Sequence, residues 1–380
     1  MKKIIKYSVI APINTGDVLI SKSIELLFHN EFHNEFNIKS KDITFKKFDP
    51  KPKIKFSKGN LKTKKNIVLS FLYIIIKKIL FYLNDYSKVY NEIRNSDAVI
   101  LGGGNILMES DGNDIFNKCY KICVICKKLN KPFAFYAVGL GPFEFRYQRR
   151  LRYILKNSVH FGVRDFGSQS ICDEIFKGKS VMNFDPAILL SDYYPLKQEK
   201  HKYIGVNLMN LSKFIKKSEN FSIQQIAMNL SKIAEHYKMS IKIINTSFGE
   251  DLTITELLKN EFYKLNNHHL ISICNIIDEK DLNNAFCDVK FFLACRMHSS
   301  IFSQSYNIPT LVYPWHPKVY HLQKIIYDKE LKTSLIENPN FDYCEIINKI
   351  ELLNNQKLNH SIIVIKQKIK NQFIETIKFI

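Results

Sequence analysis

The amino-acid sequence predicts an α/β protein with two facing Rossmann-like domains and a C-terminal helical extension. Short apolar segments alternate with longer segments whose apolar residues recur at helical spacing, which is typical of parallel sheets with crossover helices. The alternation stops at a polar and charged segment around one proline, residues 191–202, and then begins again. We therefore predict an N-terminal domain over residues 1–192, a C-terminal domain over residues 200–336 and a helical extension over residues 337–380.

Each element of the N-terminal half is predicted from its own pattern. The apolar run at residues 4–12 is too short for a signal peptide and leads into a polar loop, so it predicts the first strand. Further apolar runs that end at glycine or proline predict strands, and helical spacing predicts helices. The predicted strands are 4–12, 42–48, 97–105, 131–143 and 180–190, and the predicted helices are 14–32, 66–86, 86–96, 114–130 and 146–158. Residues 159–176 are predicted to form a strand, a loop and then a helix.

The C-terminal half repeats this order. The segment at residues 222–239 has the clearest amphipathic helical pattern, and it lies between two apolar runs. The predicted strands are 203–209, 240–248, 269–277, 289–299 and 309–315; the predicted helices are 222–239, 253–265, 278–288, 300–308 and 318–328.

The composition is that of a globular protein, because 46% of the 380 residues are apolar and 24% are charged. The formal net charge of +20 has two explanations. It could reflect compositional drift towards lysine without a functional role. Alternatively, it could attract an anion such as a phosphorylated substrate, a polyanionic glycan or an acidic membrane. Nucleic acid is disfavoured, since zinc-finger spacing, RNP-like aromatic patterns and basic heptads are absent from the sequence.

The eight cysteines lack the paired spacing of a metal site, so we expect buried free thiols, no metal and a cytoplasmic protein. The basic and apolar segment Lys51–Tyr86 raises the question of whether the protein also contacts a membrane. Lys77 and Lys78 interrupt its apolar part, which disfavours a membrane-spanning helix. The segment is either a buried helix behind a solvated loop or an interfacial helix at the inner face of an anionic membrane.

Ligands of open α/β sheets bind beyond the carboxyl ends of the strands, and this rule selects the loops that follow the apolar runs. The dinucleotide pattern G-x-G-x-x-G and the P-loop are both absent, so nicotinamide and ATP-hydrolysing enzymes are disfavoured. Glycines in these loops allow backbone N–H groups to approach a ligand, although turns alone would also explain them. The substrate-binding candidates in the first two loops are Asn14, Gly16, Gly103, Gly104 and Asn105.

Two arginines are sharper signals, because each stands at a predicted strand end in apolar surroundings. Arg164 either binds an anionic substrate or pairs with a local carboxylate, Asp165 or Asp185. For Arg296 we favour the substrate. His298 stands two residues later at a predicted helix start, and arginine, imidazole and a helix N-terminus together form a pocket for phosphate or carboxylate.

The ordered motifs N-x-G-D, G-G-G, V-G-L-G-P, V-R-D, D-P-A and R-x-H, the last followed by IFSQSYNIPTLVYPWHPK, resemble the polysaccharide pyruvyl transferase family over residues 7–325. The resemblance implies a GT-B-type fold, with the acceptor on the N-terminal domain and the donor on the C-terminal domain. It implies transfer of the carbon skeleton of phosphoenolpyruvate to hydroxyls of a bacterial surface glycan or a lipid-linked precursor, giving a pyruvate ketal. No cofactor is implied, since phosphoenolpyruvate is the donor substrate.

The resemblance gives the cations a role. Arg164 and Arg296 would bind the phosphate and carboxylate of phosphoenolpyruvate from the two domains. Lys318 would add a third cation and Ser299 a further contact at the helix start. His298 is the candidate acid that protonates the methylene carbon, or it helps to hold the phosphate.

The acceptor hydroxyl needs a group that orients or deprotonates it, and Asp17 is one candidate. By the resemblance, the acidic loop after the triple glycine holds a functional aspartate. Asp111 is our choice there, with Glu109 or Asp114 as substitutes.

Two other functions remain open. A nucleotide-sugar glycosyltransferase on the same plan would use Arg296 and Lys318 for a diphosphate, with Glu250 or Asp251 near the ribose. A non-catalytic protein could use the same pocket to hold an anionic glycan.

Overall fold

The computed structural model describes residues 1–10, 15–33, 35–44, 85–108, 115–141, 145–197, 199–214, 221–247, 250–327, 331–354 and 359–380. Residues 51–84, which include most of the segment predicted to contact a membrane, lie outside this part of the chain. The candidate residues Asn14, Glu109, Asp111 and Asp114 also lie outside it.

The first sheet has six parallel strands in the order β2-β1-β3-β4-β5-β6. The strands are β1 Lys2–Ser8, β2 Phe36–Asp42, β3 Ala98–Leu107, β4 Phe133–Leu140, β5 His160–Val163 and β6 Val181–Met182. The helices of this part are α1 Thr15–Phe32, α2 Ser87–Arg94, α3 Ile115–Lys128, α4 Phe145–Asn157 and α5 Phe166–Ile175, followed by a 3-10 turn at Pro186–Leu189.

The second sheet has five parallel strands in the order β11-β10-β7-β8-β9. The strands are β7 Tyr203–Asn207, β8 Ser240–Asn245, β9 Ile271–Asn275, β10 Val289–Ala294 and β11 Thr310–Val312. The helices from this point of the chain are α6 Leu190–Tyr193, α7 Ile223–Tyr237, α8 Glu250–Lys264, α9 Asp281–Phe286, α10 Met297–Ser305, α11 Pro317–Tyr327, α12 Leu331–Ser334, α13 Tyr343–Asn354 and α14 Asn359–Lys378, with 3-10 turns at Leu211–Lys213 and His268–Leu270.

Two parallel sheets with crossover helices confirm the predicted fold class. The prediction of the second strand at residues 42–48 was wrong, because β2 is Phe36–Asp42. β2 is an edge strand whose side chains are half-buried or exposed, so it lacks the continuous apolar run that marks the inner strands. β3 also continues through its three glycines to Leu107 rather than ending at them.

The core explains why the inner strands read as apolar runs. Nearly every side chain of β3 and all of those of β4 are buried, because helices cover both faces of the sheet. The last helix, α14, returns to the first sheet. There the ring of Phe373 lies 4.7 Å from that of Phe28 and 5.1 Å from that of Tyr136, both in edge-to-face geometry.

The carboxyl ends of the two sheets meet at the start of α1. The backbone N–H of Thr15 donates to the carbonyl of Thr246, 3.0 Å away, and its hydroxyl donates to the carbonyl of Ile276. Thr246 and Ile276 directly follow β8 and β9, so α1 of the first sheet begins against the carboxyl edge of the second. None of the helices that the structure describes is long and apolar enough to cross a bilayer.

Candidate active site

Arg164 connects the two halves of the site. It follows β5 and is 6% exposed. Its Nη1 donates to Oδ2 of Asp185 at 3.0 Å and lies 3.2 Å from Nε2 of His298, and its Nη2 donates to Oδ1 of Asn105 at 2.7 Å. The ion pair with Asp185 that we considered is therefore present. Asp165, the other carboxylate considered, instead caps α5 by accepting from the backbone N–H of Ser168.

The Nε of Arg164 is buried and has no hydrogen-bond partner among the described residues. It lies where Gly139 leaves room, since a Cβ on Gly139 would be 3.2 Å from this nitrogen and 2.0 Å from Oδ1 of Asn105. A buried donor without a partner costs free energy, about 1–3 kcal/mol. The Nε–H is thus a donor that a bound anion could satisfy.

His298 lies in the first turn of α10, two residues after the N-cap residue Arg296. Its Nδ1 packs against Gly16 so closely that a Cβ there would be 1.9 Å away. Because the guanidinium of Arg164 can only donate, the Nε2 that faces it must be an acceptor. The imidazole is therefore neutral, with its proton on Nδ1.

Electrostatics agrees with a neutral imidazole. Burial, followed by the charges of Arg164, Lys318 and Arg296, holds the pKa of His298 well below its ordinary value. As a candidate acid, His298 therefore carries no extra proton in the free protein at neutral pH. An anion bound among these cations would oppose their effect and raise the pKa of His298.

Arg296 is held by a buried polar cluster at the carboxyl end of β7. Its Nε donates to Asp251, which is fully buried and also accepts from the backbone N–H groups of Thr246 and Ser247 at 3.0 Å each. Burial raises the pKa of Asp251, and the charge of Arg296 opposes that rise. Asp251 therefore orients Arg296, and its buried carboxylate is not placed to meet a ribose.

Asn207, the last residue of β7, fixes the start of α10. Its Oδ1 accepts from the backbone N–H of Arg296 at 3.0 Å and lies 3.0 Å from Oγ of Ser299. The Ser299 hydroxyl also donates to the carbonyl of Arg296 and is fully buried. Ser299 thus supports the loop from inside the protein.

Lys318 is the third cation near His298. Its Nζ lies 5.5 Å from the ring centroid of Trp315, within range of a cation–π interaction. Burial and then the nearby charge of Arg164 lower the pKa of Lys318 to about 8, and Asp17 and Asp165 partly oppose them. The charge of Lys318 near neutral pH therefore depends on the charged groups around it, and a bound anion would favour the protonated form.

The triple-glycine strand packs against the start of α1. Gly103 and Gly104 have φ of 74° and 78°, in the left-handed region that favours glycine. A Cβ on Gly103 would lie 2.3 Å from Ile20, and one on Gly104 would lie 2.5 Å from Oδ1 of Asp17. Both glycines permit close packing of α1, and Gly104 sets Asp17 beside β3.

The structure thus brings together every described candidate: Gly16, Asp17, Gly103, Gly104, Asn105, Arg164, Arg296, His298, Ser299 and Lys318. Asn207 was not among the residues predicted from the sequence. The strand was predicted to run to Met209, which put Asn207 inside it, whereas β7 ends at Asn207. The strand-end rule selects Asn207 once the true end of β7 is known. Asp251 was predicted only as a possible ribose ligand. Its pairing with Arg296 depends on a contact across 45 residues that no local pattern encodes.

A group of potential metal ligands occurs away from this site. Glu199, Cys287 and Asp288 bring ligand atoms within 4.8 Å of one another. Asp288 already pairs with Lys242, and burial raises the pKa of the Cys287 thiol. These contacts favour an ion pair beside a protonated thiol over a metal centre.

Comparison with known proteins gives a family and a fold. The family model described as "Polysaccharide pyruvyl transferase" matches residues 14–317. None of the curated proteins matches the sequence.

Solved structures share the fold across the whole chain at low identity. UDP-GlcNAc 2-epimerase of Neisseria meningitidis, solved with UDP-GlcNAc, is 12% identical with a TM-score of 0.53, and 99% of each chain is covered. Alr3699/HepE of Anabaena, solved with UDP-glucose, is 9% identical with a TM-score of 0.56, and 100% of each chain is covered. UDP-GlcNAc 2-epimerase of Methanocaldococcus jannaschii is 12% identical with a TM-score of 0.52 over 93% of each chain. These similarities show the predicted GT-B-like fold.

Proposed function

Because the chain belongs to the polysaccharide pyruvyl transferase family, we propose that it transfers the pyruvyl group of phosphoenolpyruvate to two hydroxyls of a glycan sugar, forming a cyclic ketal. The observation that carries this proposal is the 3.2 Å contact between Arg164 and His298. It sets a buried guanidinium from one sheet against a neutral imidazole from the other, with Arg296 and Lys318 close enough to lower the pKa of that imidazole.

Phosphoenolpyruvate has the charge that such a site requires. Its phosphate and carboxylate lie a few bonds apart, so it needs cations on more than one side. Arg164, Arg296 and Lys318 would provide them, and the Nε–H of Arg164 would gain the acceptor that it lacks. Asp185 and Asp251 would hold the two arginines in place before the donor arrives.

The donor would also convert His298 into an acid. Its anionic groups would offset the three cations, so the pKa of His298 would rise and the imidazole could take up a proton. His298 would give this proton to the methylene carbon, which becomes a methyl group and leaves a cation at C2. A sugar hydroxyl then attacks C2, phosphate leaves, and a second hydroxyl closes the ketal ring.

The two sugar hydroxyls supply the two protons that the overall reaction requires. One replaces the proton that became part of the methyl group, and the other leaves with phosphate. Asp17 would orient or deprotonate the first hydroxyl, since it lies in the first turn of α1 beside Gly104. Asp111 stays a prediction for the same role.

A nucleotide-sugar glycosyltransferase is the second candidate, favoured by one observation. Alr3699/HepE and the Neisseria meningitidis epimerase share this fold and were solved with UDP-glucose and UDP-GlcNAc. The buried pairing of Asp251 with Arg296 counts against it, because it occupies one of the two carboxylates, Glu250 and Asp251, that such an enzyme could use near the ribose.

The two functions differ in their donor, and this gives the test. The melting temperature of the full chain should rise with phosphoenolpyruvate and stay constant with a panel of UDP- and GDP-sugars. Phosphate should be released from phosphoenolpyruvate only when a glycan acceptor is present, and mass spectrometry should find the pyruvyl increment on that acceptor. Stabilisation by a nucleotide sugar alone, with no phosphate released, would refute the proposal.

A further inference from the structure

A second basic surface lies at the opposite edge of the C-terminal sheet from the candidate active site. It is an open groove of about 990 Å³. The groove is formed by α7 and by the residues that directly precede β7, β8 and β9, three neighbouring strands. We call it the lysine groove, after Lys200, Lys202, Lys232 and Lys238.

The lysine groove carries positive charge that is largely unpaired within the described part of the chain. All four lysines are exposed. Lys202 has Glu199 at 3.6 Å, whereas no carboxylate of the described residues lies within ion-pair distance of the other three. Glu235 is the sole acidic residue among the described residues that line the groove. An anion entering it would meet cations on several sides.

The rest of the lining fits a sugar chain. His269 and Asn267 offer polar groups for hydroxyls, and Met228 and Leu270 offer apolar surface for the C–H faces of sugar rings. The groove is concave, whereas a bilayer is flat and would contact its rim alone. An extended anionic polymer matches both the shape and the charge.

The distance between the lysine groove and the candidate active site determines which part of a glycan could bind in the groove. β7 has five residues and so spans roughly 17 Å at the usual rise per residue. The groove lies at the amino end of that strand, and Asn207 of the candidate active site lies at its carboxyl end. A glycan must therefore extend over several sugars to reach both sites.

We propose that the lysine groove binds an anionic segment of the glycan, remote from the sugar that is being modified. This inference rests on the proposed function, in which every ketal adds a carboxylate to the product. Segments already modified would then be held by the groove while the chain continues to the active site. Transfer to a long anionic acceptor would depend on the groove, and transfer to a short acceptor would not.

The test measures binding of the full chain to polygalacturonate, a carboxylated polysaccharide, and to neutral dextran, both without phosphoenolpyruvate. The variant Lys200→Glu/Lys232→Glu/Lys238→Glu should bind polygalacturonate at least tenfold more weakly than the wild type. The control Lys127→Glu/Lys156→Glu/Lys177→Glu changes the net charge equally, at exposed lysines of the N-terminal half, and should stay within twofold. The corresponding Lys→Gln triple variant replaces the first if charge reversal prevents folding.

Several results would overturn the inference. One is that the groove variant binds polygalacturonate as tightly as the wild type. Another is that the control variant loses as much affinity as the groove variant. A third is that the wild type binds dextran as tightly as polygalacturonate. Groove-dependent binding of phosphatidylglycerol vesicles without binding of polygalacturonate would assign the groove to a membrane. Because no transfer is required, groove-dependent binding by a protein that releases no phosphate would refute the proposed function alone, and transfer without such binding would refute the groove alone.

Discussion

Nε2 of His298 lies 3.2 Å from Nη1 of Arg164, although the two residues are 134 positions apart and belong to different sheets. The contact joins an N–H that can only donate to a nitrogen that must accept, so it fixes the protonation state of the imidazole. It also ties the orientation of His298 to Asp185, because the same Nη1 donates to that carboxylate.

Replacing Arg164 alone should lower the free energy of unfolding more than replacing both Arg164 and Asp185. Arg164→Gln leaves the carboxylate of Asp185 buried without its cation, which we expect to cost about 3–5 kcal/mol of unfolding free energy. Arg164→Gln/Asp185→Asn removes both charges and should recover part of that loss. Urea unfolding of both variants measures the difference, and an equally unstable double variant would contradict a buried ion pair.

The same two variants should separate stability from donor binding. The double variant regains stability and still lacks the guanidinium, so phosphoenolpyruvate should no longer raise its melting temperature. Asp185→Asn alone keeps Arg164 and should retain donor binding with a weaker response. A normal response in the double variant would mean that Arg164 does not contact the donor.

His298 should make stability depend on pH. Its pKa in the folded protein is below the value of about 6.5 expected in the unfolded chain. The unfolded chain therefore binds the proton first as the pH falls, so the stability is fully present above pH about 6.5 and is lost below it. His298→Gln should flatten this part of the stability profile from pH 7 to pH 5. An unchanged slope would show that His298 is not held neutral.

The sequence predicted which residues meet at the candidate site better than it predicted the contacts that hold them. Arg164, Arg296 and His298 stand at the carboxyl ends of strands, and the rule for parallel sheets locates such residues without a structure. Whether Arg296 would pair with Asp251, or Arg164 with Asp165 or with Asp185, depends on where separate loops meet in space. The edge strand β2 was misplaced because its side chains are half-buried or exposed, so no continuous apolar run marks it.

Lys318 should limit donor binding at alkaline pH. Its pKa is lowered to about 8, so the free protein loses this charge as the pH rises through 8. The KM for phosphoenolpyruvate should therefore increase between pH 7.5 and pH 9. Lys318→Arg keeps a cation at every pH, and its KM should stay level over this range. A parallel rise in both proteins would assign the alkaline limb to another group.

Gly16 should be required for activity although alanine is the better helix former. It lies in the first turn of α1, where Gly16→Ala would favour the helix by as much as about 1 kcal/mol. The new Cβ would lie 1.9 Å from Nδ1 of His298, so the imidazole must move and its contact with Arg164 must change. We expect kcat/KM to fall at least a hundredfold. The new Cβ would also lie 2.7 Å from Cβ of His298, which cannot rotate away, so the melting temperature should fall as well. Gly178→Ala is the matched control, because its Cβ would meet nothing within 4 Å. It should lower stability slightly through its positive φ of 72° and leave kcat/KM unchanged. A fully active Gly16→Ala protein would show that catalysis tolerates displacement of His298 and would remove it from the mechanism.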